Sequence, residues 1–545
     1  MRMSAGERTQ ASVGTSLTCS QCVSFGEERD NAKAQLDAVP NIALLASGGG
    51  QRAMVGLLGS LVELNKAGIL DCILYLSGVS GSTWCMASLY KEPDWSTKLE
   101  TVKDKIVERL SGPKVSWGDA YAKLKKYYHG KDIFSLTDVW AAMVVTTFVK
   151  EIDEHTLTDQ WEHLSKDPFP IYTVIDKQSK QQGGGDPWIE ISPNEAGYSL
   201  TGAFVGTSSF SSQFHSGSKK KHQPEMDMLY LQALCGSALA DGEEICNFLW
   251  EQIHDCIKHL LHQGMFKEMR TDPITPPVEK CYQALMDLAF MNLCVLNGKD
   301  PSHLDQSLRT RLNDLGGGKH QRIFPIEKLN LADKQAAKRY MNQHTEDVCN
   351  NLSYRYSFIP DVQMWICIFK CMNDWIWGRH YNFLHNMKDE AVHSALQESE
   401  TRDYEDAGLL NNSPYFSVLR EERHIDLIIS LDFSEGDPFM TVRDAFEMSK
   451  RLNIPFPEVN IPKEDMEKPK DFYVFKGQNA PTVIHIPLFN VVNCGEQIET
   501  WRDHYRTIKF SSYATEKITK LMEVAGKNIS NNKENLKEQI QAVIG

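Results

Sequence analysis

The 545-residue sequence carries 58 lysines and arginines against 72 acidic residues, a formal net charge of −14, so it lacks the basic footprint of a general nucleic-acid binder. A composition of 41% hydrophobic and 24% charged residues is that of a globular chain, and at about 150 residues per domain its length suggests three or four domains. Neither of its two long uncharged stretches suits hydrocarbon, since 72–90 is broken by Ser77-Gly78-Val79-Ser80-Gly81-Ser82-Thr83 and 196–218 is rich in Ser, Gly and Thr.

Arg2, Glu7 and Arg8 stand where a secretory signal would need an apolar run, so the thirteen cysteines are expected to be reduced. Cys19 and Cys22 form an isolated CxxC with no second pair, a weak metal or redox signal. The sequons at Asn351, Asn411 and Asn528 read as chance matches.

Residues 1–35 have no sustained period and read as a mobile tail. The run Asn41–Ala46 predicts a buried strand entering the tight loop Ser47-Gly48-Gly49-Gly50, and Gln51–Ala67 has helical periodicity that stops at Gly68. Strand Ile73–Leu76 and helix Thr83–Lys91 follow. Alternating strand and helix predict an α/β sheet. Further strands are expected at Ile171–Ile175, Trp188–Ile191, Leu427–Asp432, Tyr473–Phe475 and Thr482–Ile486, with helices near 137–149, 243–262, 278–296 and 441–452. Gly206–Lys221, rich in Ser and Gly and then basic, reads as a mobile loop. The C-terminal stretch 533–544 reads as an amphipathic helix capped by Asn531 or Asn532.

Three readings compete for Gly48-Gly49-Gly50-Gln51-Arg52-Ala53. A dinucleotide fingerprint needs an acid at the C-terminal end of the next strand, whereas Asp71 precedes that strand. A P-loop is excluded because no G-x-x-x-x-G-K-[ST] occurs, and Gly316-Gly317-Gly318-Lys319 does not fit it. The third reading is an oxyanion hole, with the amides of Gly48, Gly49 and Gly50 at a helix N-terminus. Arg52, a cation in the first helical turn, is either a solvated surface residue or an anion-capturing one, for example for a lipid phosphate. Downstream, Gly78-Val79-Ser80-Gly81-Ser82 puts a serine among small residues at a strand-to-helix turn. This is a nucleophile elbow with Ser82 where G-x-S-x-G has its last glycine. Together with the glycine loop it favours acyl transfer.

These segments, 47–54 and 78–84, resemble the catalytic core of the group IV cytosolic phospholipase A2 family, patatin-like lipid acyl hydrolases with a Ser–Asp dyad. The likeness continues through Trp188–Pro193, Leu234–Ala238, Trp377–Leu384, Asp406–Leu409, Ser430–Phe439 and Ala480–Asn490, and within the family is nearest the gamma (group IVC) type. It implies a patatin-like three-layer α/β sandwich with a central mostly parallel sheet and helical cap insertions. The catalytic domain would span 36–530, between the tail 1–35 and a C-terminal helix 531–545.

The resemblance makes Asp406 the partner of Ser80 and places Arg423, with Arg420 close beside it, near a second phosphate-binding arginine. Histidines 424 and 485 remain rival bases for a Ser-His-Asp triad. The implied activity is hydrolysis of glycerophospholipid acyl esters through an acyl-serine, with lysophospholipase and transacylase reactions open to the same intermediate. No cofactor, metal, nucleic acid or obligatory protein partner is implied. Ser80 lies too early in the sequence for a preceding calcium-binding lipid module, and the ending Gln541–Gly545 has no prenylation cysteine. The expectation is therefore a calcium-independent cytoplasmic enzyme, peripherally associated with intracellular membranes, whose substrate is the phospholipid surface. Lys219-Lys220-Lys221-His222 and Lys123-Leu124-Lys125-Lys126 are candidate lipid contacts, or simply solvated patches. The aromatic run Met364–Phe369, with Trp375 and Trp377, reads as core more readily than as a membrane wedge. The rival class is a catalytically weak lipid-binding or structural relative that keeps the fold.

Overall fold

The protein is described by a computed structural model. It covers residues 39–544 except 161–165, 183–184, 238–241, 264–274, 317–330, 332, 357 and 507–511. The expected tail 1–35 and the Cys19–Cys22 pair lie outside the described residues. The described residues within 1–113, 148–238 and 380–545 form one compact unit, and those within 114–147 and 239–379 another.

The first unit is built on a mixed sheet. Its strands are β1 (Ile42–Ala46), β2 (Tyr75–Gly78), β3 (Phe169–Asp176), β4 (Trp188–Ile191), β5 (Glu195–Tyr198) and β6 (Ala203–Gly206). The set is completed by β9 (Arg379–Tyr381), β10 (Thr401–Asp406), β11 (Leu427–Asp432), β12 (Tyr473–Phe475) and β13 (Thr482–Pro487), while β7 (Gln213–His215) and β8 (Ser218–Lys221) pair only with each other. The order is β12-β13-β11-β1-β2-β3-β4-β5-β6. The centre, β13-β11-β1-β2-β3, is parallel, and antiparallel strands flank it. All five residues of β1 and all six of β11 are buried, as expected of parallel strands covered on both faces and visible as unbroken apolar runs.

The principal helices here are α1 (Gly50–Lys66), α2 (Gly81–Tyr90), α3 (Met228–Cys235), α4 (Met440–Leu452), α5 (Thr515–Asn531) and α6 (Lys533–Ile544). Helix α5 packs along α1. Asn528 of α5 accepts from Asn490 Nδ2 at 2.9 Å and donates to the carbonyl of Leu488 at 3.0 Å, tying the helix to the end of β13. Helix α6 occupies the expected C-terminal stretch, and the carbonyl of Asn532 accepts its first helical bond, from Leu536, at 2.9 Å.

Residues 206–221 differ from the mobile loop expected of them. Gly206 ends β6, and the β7–β8 hairpin turns through Ser216 and Gly217 at φ 51° and 75°. Two consecutive left-handed residues are what a tight hairpin turn requires, so the Ser-Gly composition marked a turn rather than a loop. The basic run Lys219–Lys221 forms the exposed strand of that hairpin.

The second unit is helical, with helices Trp117–Gly130, Gly242–Gln263, Thr275–Leu296, Ser302–Gly316, Lys334–Tyr356 and Pro360–Asp374. The aromatic run is core here. Met364, Trp365, Ile368 and Phe369 are fully buried, with Trp250 against Phe369 at 4.9 Å and Trp365 against Tyr121 at 6.1 Å. In the other basic run, Lys123 is buried over the Tyr127 ring and Lys125 pairs with Asp361 at 3.0 Å. Among the described residues no helix is long and apolar enough to cross a membrane.

Strand β10 is fastened to β3 by a buried charge cluster. Asp176, fully buried at the end of β3, accepts from Arg402 Nε at 2.7 Å and from Tyr198 Oη at 2.6 Å. Replacing Asp176 by Ala strands the buried guanidinium of Arg402, so a loss of about 3–5 kcal/mol is expected in denaturant unfolding.

Candidate active site

Strand β2 ends at Gly78, and α2 begins only three residues later at Gly81. Between them Ser80 takes φ 52° and ψ −125°, a conformation costly for a residue with a Cβ and typical of strained functional turns. The reversal requires small neighbours. A Cβ on Gly81 would sit 1.8 Å from the carbonyl oxygen of Gly50, because the first turns of α1 and α2 are in backbone contact. Ser82, in the place of the usual last glycine, is fully buried and donates to the carbonyl of Ser47 at 2.7 Å. This departure from G-x-S-x-G is therefore a tie between the elbow and the glycine loop.

The glycine loop sits directly beside the elbow, since a Cβ on Gly48 would lie 2.8 Å from Ser80 Cβ. One expectation is corrected here. The Gly48 N–H donates to the carbonyl of Asn412 at 3.0 Å, so it is not an oxyanion donor. Gly49 and Gly50 follow with φ 155° and 55°. Gly50 is the first residue of α1, where a backbone N–H has no partner within the helix and the helix dipole favours negative charge.

Asp406 reaches the same place by strand register. At Tyr172 strand β3 pairs with β2 (Gly78) and with β4, and at Val174 it pairs with β10 (Asp406) and again with β4. A strand has two edges, so β2 and β10 occupy the same edge of β3 in succession. The first leaves it at Gly78, and the second, running the opposite way, ends on it at Asp406 two β3 residues further on. Thr173 Oγ1, between the two levels, donates to the carbonyl of Gly78 at 2.8 Å. The Asp406 carboxylate is fully buried and accepts from the Gly408 N–H at 2.8 Å. Its charge is felt by the Cys235 thiol at the end of α3, which burial first and Asp406 second push well above its ordinary value.

The rival bases are elsewhere. His485 is fully buried on β13, with Nε2 at 2.7 Å from the carbonyl of Pro438, and burial holds it below the ordinary imidazole value. His424 is exposed and precedes β11, whose C-terminal end is the one aligned with the glycine loop.

The two arginines are engaged by protein. Arg52 is 2% exposed, with Nε donating to the carbonyl of Phe433 at 2.7 Å and Nη1 to that of Tyr505 at 2.9 Å and to Glu435 at 3.4 Å. A Cβ on Gly49 would lie 3.0 Å from its Nη2. It is therefore neither the solvated surface residue nor a freely extended anion hook. Arg423 departs from its expected phosphate role. Together with Arg420 it holds the buried carboxylate of Glu190, at 2.7 and 2.6 Å, and it lies over the ring of Tyr75 at the start of β2 rather than at the elbow. A buried carboxylate between two guanidinium groups explains both positions.

The family described as lysophospholipase catalytic domain matches residues 42–241. Cytosolic phospholipase A2 gamma of Mus musculus is 33% identical over 542 residues, covering 94% of this chain and 87% of that protein. This chain belongs to the cytosolic phospholipase A2 family. Cytosolic phospholipase A2 gamma of Homo sapiens is 30% identical over 525 residues, covering 94% of this chain and 91% of that one. The solved structure of human GIVD cytosolic phospholipase A2 superposes with a TM-score of 0.59 at 20% identity, covering 93% of this chain and 61% of that chain. At that identity the likeness speaks to the fold, a mixed α/β architecture with a central mostly parallel sheet. The chain thus carries the catalytic domain of this family, a family of serine acyl hydrolases.

Asn412 carries no sequence signal of its own, yet its carbonyl and side-chain amide both bond Gly48 of the glycine loop. Ser82 could be found only as a deviation from the elbow motif.

The Glu190 charge cluster gives a stability test. Burial raises the Glu190 carboxyl, but Arg423 and then Arg420 outweigh burial and hold it below its ordinary 4.5. A depressed carboxylate contributes stability above its unfolded value, and that stability is lost as pH falls through the folded one. Glu190→Gln is expected to cost about 3–5 kcal/mol near neutrality and to flatten the loss of thermal stability below pH 4.5, measured by calorimetry from neutral to acid pH.

Proposed function

We propose that this chain hydrolyses the acyl esters of glycerophospholipids and lysophospholipids through a Ser80–Asp406 dyad and an acyl-serine intermediate. The observation that supports the reading is the shared edge of β3, which β2 leaves at Gly78 just before the strained Ser80 and on which β10 ends at the buried Asp406 two β3 residues further on, next to a glycine-lined helix N-terminus. A lipid-binding relative without chemistry would have no need to keep Ser80 at φ 52°, a conformation costing about 1–3 kcal/mol.

In this mechanism Ser80 Oγ attacks the ester carbonyl as its proton passes to Asp406, whose carboxylate works as a base inside a buried, weakly screened site. The amides of Gly49 and Gly50 receive the tetrahedral oxyanion, a contribution of about 3 kcal/mol per donor. Asp406 then protonates the departing lysophospholipid alkoxide. Water attacks the acyl-serine in the second half-reaction, and a lipid alcohol in its place gives transacylation. Arg52 keeps the loop in shape, with Nη2 beside Gly49 marking the loop's cationic side. The patatin-like three-layer arrangement, a cytoplasmic setting and peripheral attachment to intracellular membranes belong to the same reading and rest on the family.

Two measurements test it. Ser80→Ala and Asp406→Asn are each expected to lower fatty-acid release from defined mixed-chain phosphatidylcholine vesicles by about ten-thousandfold, with thermal midpoints unchanged; substantial release by folded Ser80→Ala protein would refute the dyad. Every chemical step is assigned to side chains or backbone amides, so turnover is expected to be the same in a calcium chelator as in added calcium.

A further inference from the structure

The glycine loop is intrinsically poorly determined. Gly49 and Gly50 lack side chains and take φ 155° and 55°, and such residues populate many backbone conformations at little cost. An oxyanion hole nonetheless acts only when its donors are fixed before the charge develops. Something outside the loop has to hold it.

Asn412 grips the loop at Gly48 from both sides. Its backbone carbonyl accepts the Gly48 N–H at 3.0 Å, and its Nδ2 donates to the Gly48 carbonyl at 3.0 Å. The same Nδ2 donates to Ser434 Oγ at 2.9 Å, and the Ser434 N–H in turn donates to Asp432 Oδ1 at 2.7 Å at the end of β11. On its other side Asn412 meets the turn that carries the base. Its Oδ1 would be 2.3 Å from a Cβ on Gly48 and 2.8 Å from a Cβ on Gly408, whose N–H is the donor to Asp406. One side chain thus packs between the two halves of the site, and both neighbours have to be glycine.

The carbonyl of Gly48 belongs to the same planar peptide as the N–H of Gly49. A trans peptide points these two groups in opposite directions, so anchoring the oxygen aims the Gly49 N–H. Donation to the oxygen also polarises the peptide and strengthens its N–H as a donor. We infer that Asn412 is a positioning residue of the active site, which fixes and polarises the Gly48–Gly49 peptide for the oxyanion and couples that loop to the Asp406 turn. Ser434 acts through it by holding Nδ2 in place. The inference rests on the hydrolase reading above.

The test compares wild type, Asn412→Ala, Asn412→Asp, Ser434→Ala and the Asn412→Ala/Ser434→Ala double variant. The readouts are kcat and KM on defined phosphatidylcholine vesicles, the labelling rate with a fluorophosphonate, thermal midpoint, and amide exchange over 48–50. Asn412→Ala is expected to lower kcat and the labelling rate by about ten- to hundredfold, with KM unchanged, a slightly lowered thermal midpoint that leaves the protein folded at the assay temperature, and exchange over 48–50 faster. Asn412→Asp keeps the shape but loses the donor, and is expected not to restore activity. Ser434→Ala is expected to lose less, and to add nothing in the double variant. Wild-type kcat in Asn412→Ala, a loss confined to KM, or a loss matching the unfolded fraction would overturn the inference. A wild-type protein that neither turns over nor labels would overturn the hydrolase reading instead. The inference is then decided by exchange over 48–50, where no difference between wild type and Asn412→Ala would overturn it.

Discussion

A β-strand has two hydrogen-bonding edges and no more, and the site follows from how one edge of β3 is shared. With β4 on the far edge from Tyr172 to Ile175, β2 holds the near edge as far as Gly78, and β10 takes over from the other direction. A chain leaving a sheet at the point where another arrives has to turn sharply, and Ser80 is that turn. The arriving strand ends on Asp406 at nearly the same level. Ser80 and Asp406, the proposed nucleophile and base, lie more than 300 residues apart in sequence, and their placement follows from ladder geometry rather than from loops.

The second constraint is close approach. The N-termini of α1 and α2 meet so tightly that Gly81 has no room for a Cβ beside Gly50. Glycine grants this contact and also removes the steric preference that would hold the loop in one conformation. The surrounding polar groups supply the missing order. Ser82 ties the elbow to Ser47, Arg52 clamps the start of α1 to the carbonyls of Phe433 and Tyr505, and Asn412 brackets the Gly48 peptide. Buried hydrogen bonds of this kind contribute modestly to net stability, but leaving one partner unsatisfied is costly, so they select a single geometry.

The sheet was largely legible, because parallel strands covered on both faces leave unbroken apolar runs such as Ile42–Ala46 and Leu427–Asp432. The elbow was legible too, since a serine between glycines after such a run has few other uses. Strand β10 was not. Its sequence Thr-Arg-Asp-Tyr-Glu-Asp is mostly polar, because Arg402 and Asp406 are buried through ion pairing and hydrogen bonding rather than apolar burial. Arg423 was misplaced for a related reason. A buried guanidinium facing Glu190 and one facing a phosphate look alike in sequence, and only the partner distinguishes them. The loop 206–221 shows the limit of composition, where Ser and Gly mark a two-residue hairpin turn as readily as mobility.

The sequence by itself determined the α/β class, the strained serine after β2, the glycine loop and, by resemblance, the family and the aspartate. These rest on local patterns of apolar runs, turn residues and motif spacing, which survive without knowledge of distant contacts. Only the tertiary structure decided which amide of the glycine loop is already bonded, which carboxylate the second arginine holds, and that Asn412 stands between the loop and the Asp406 turn. Each of those answers depends on residues hundreds of positions away in the chain, and a hydrogen-bond donor acquires a role only when its acceptor is known.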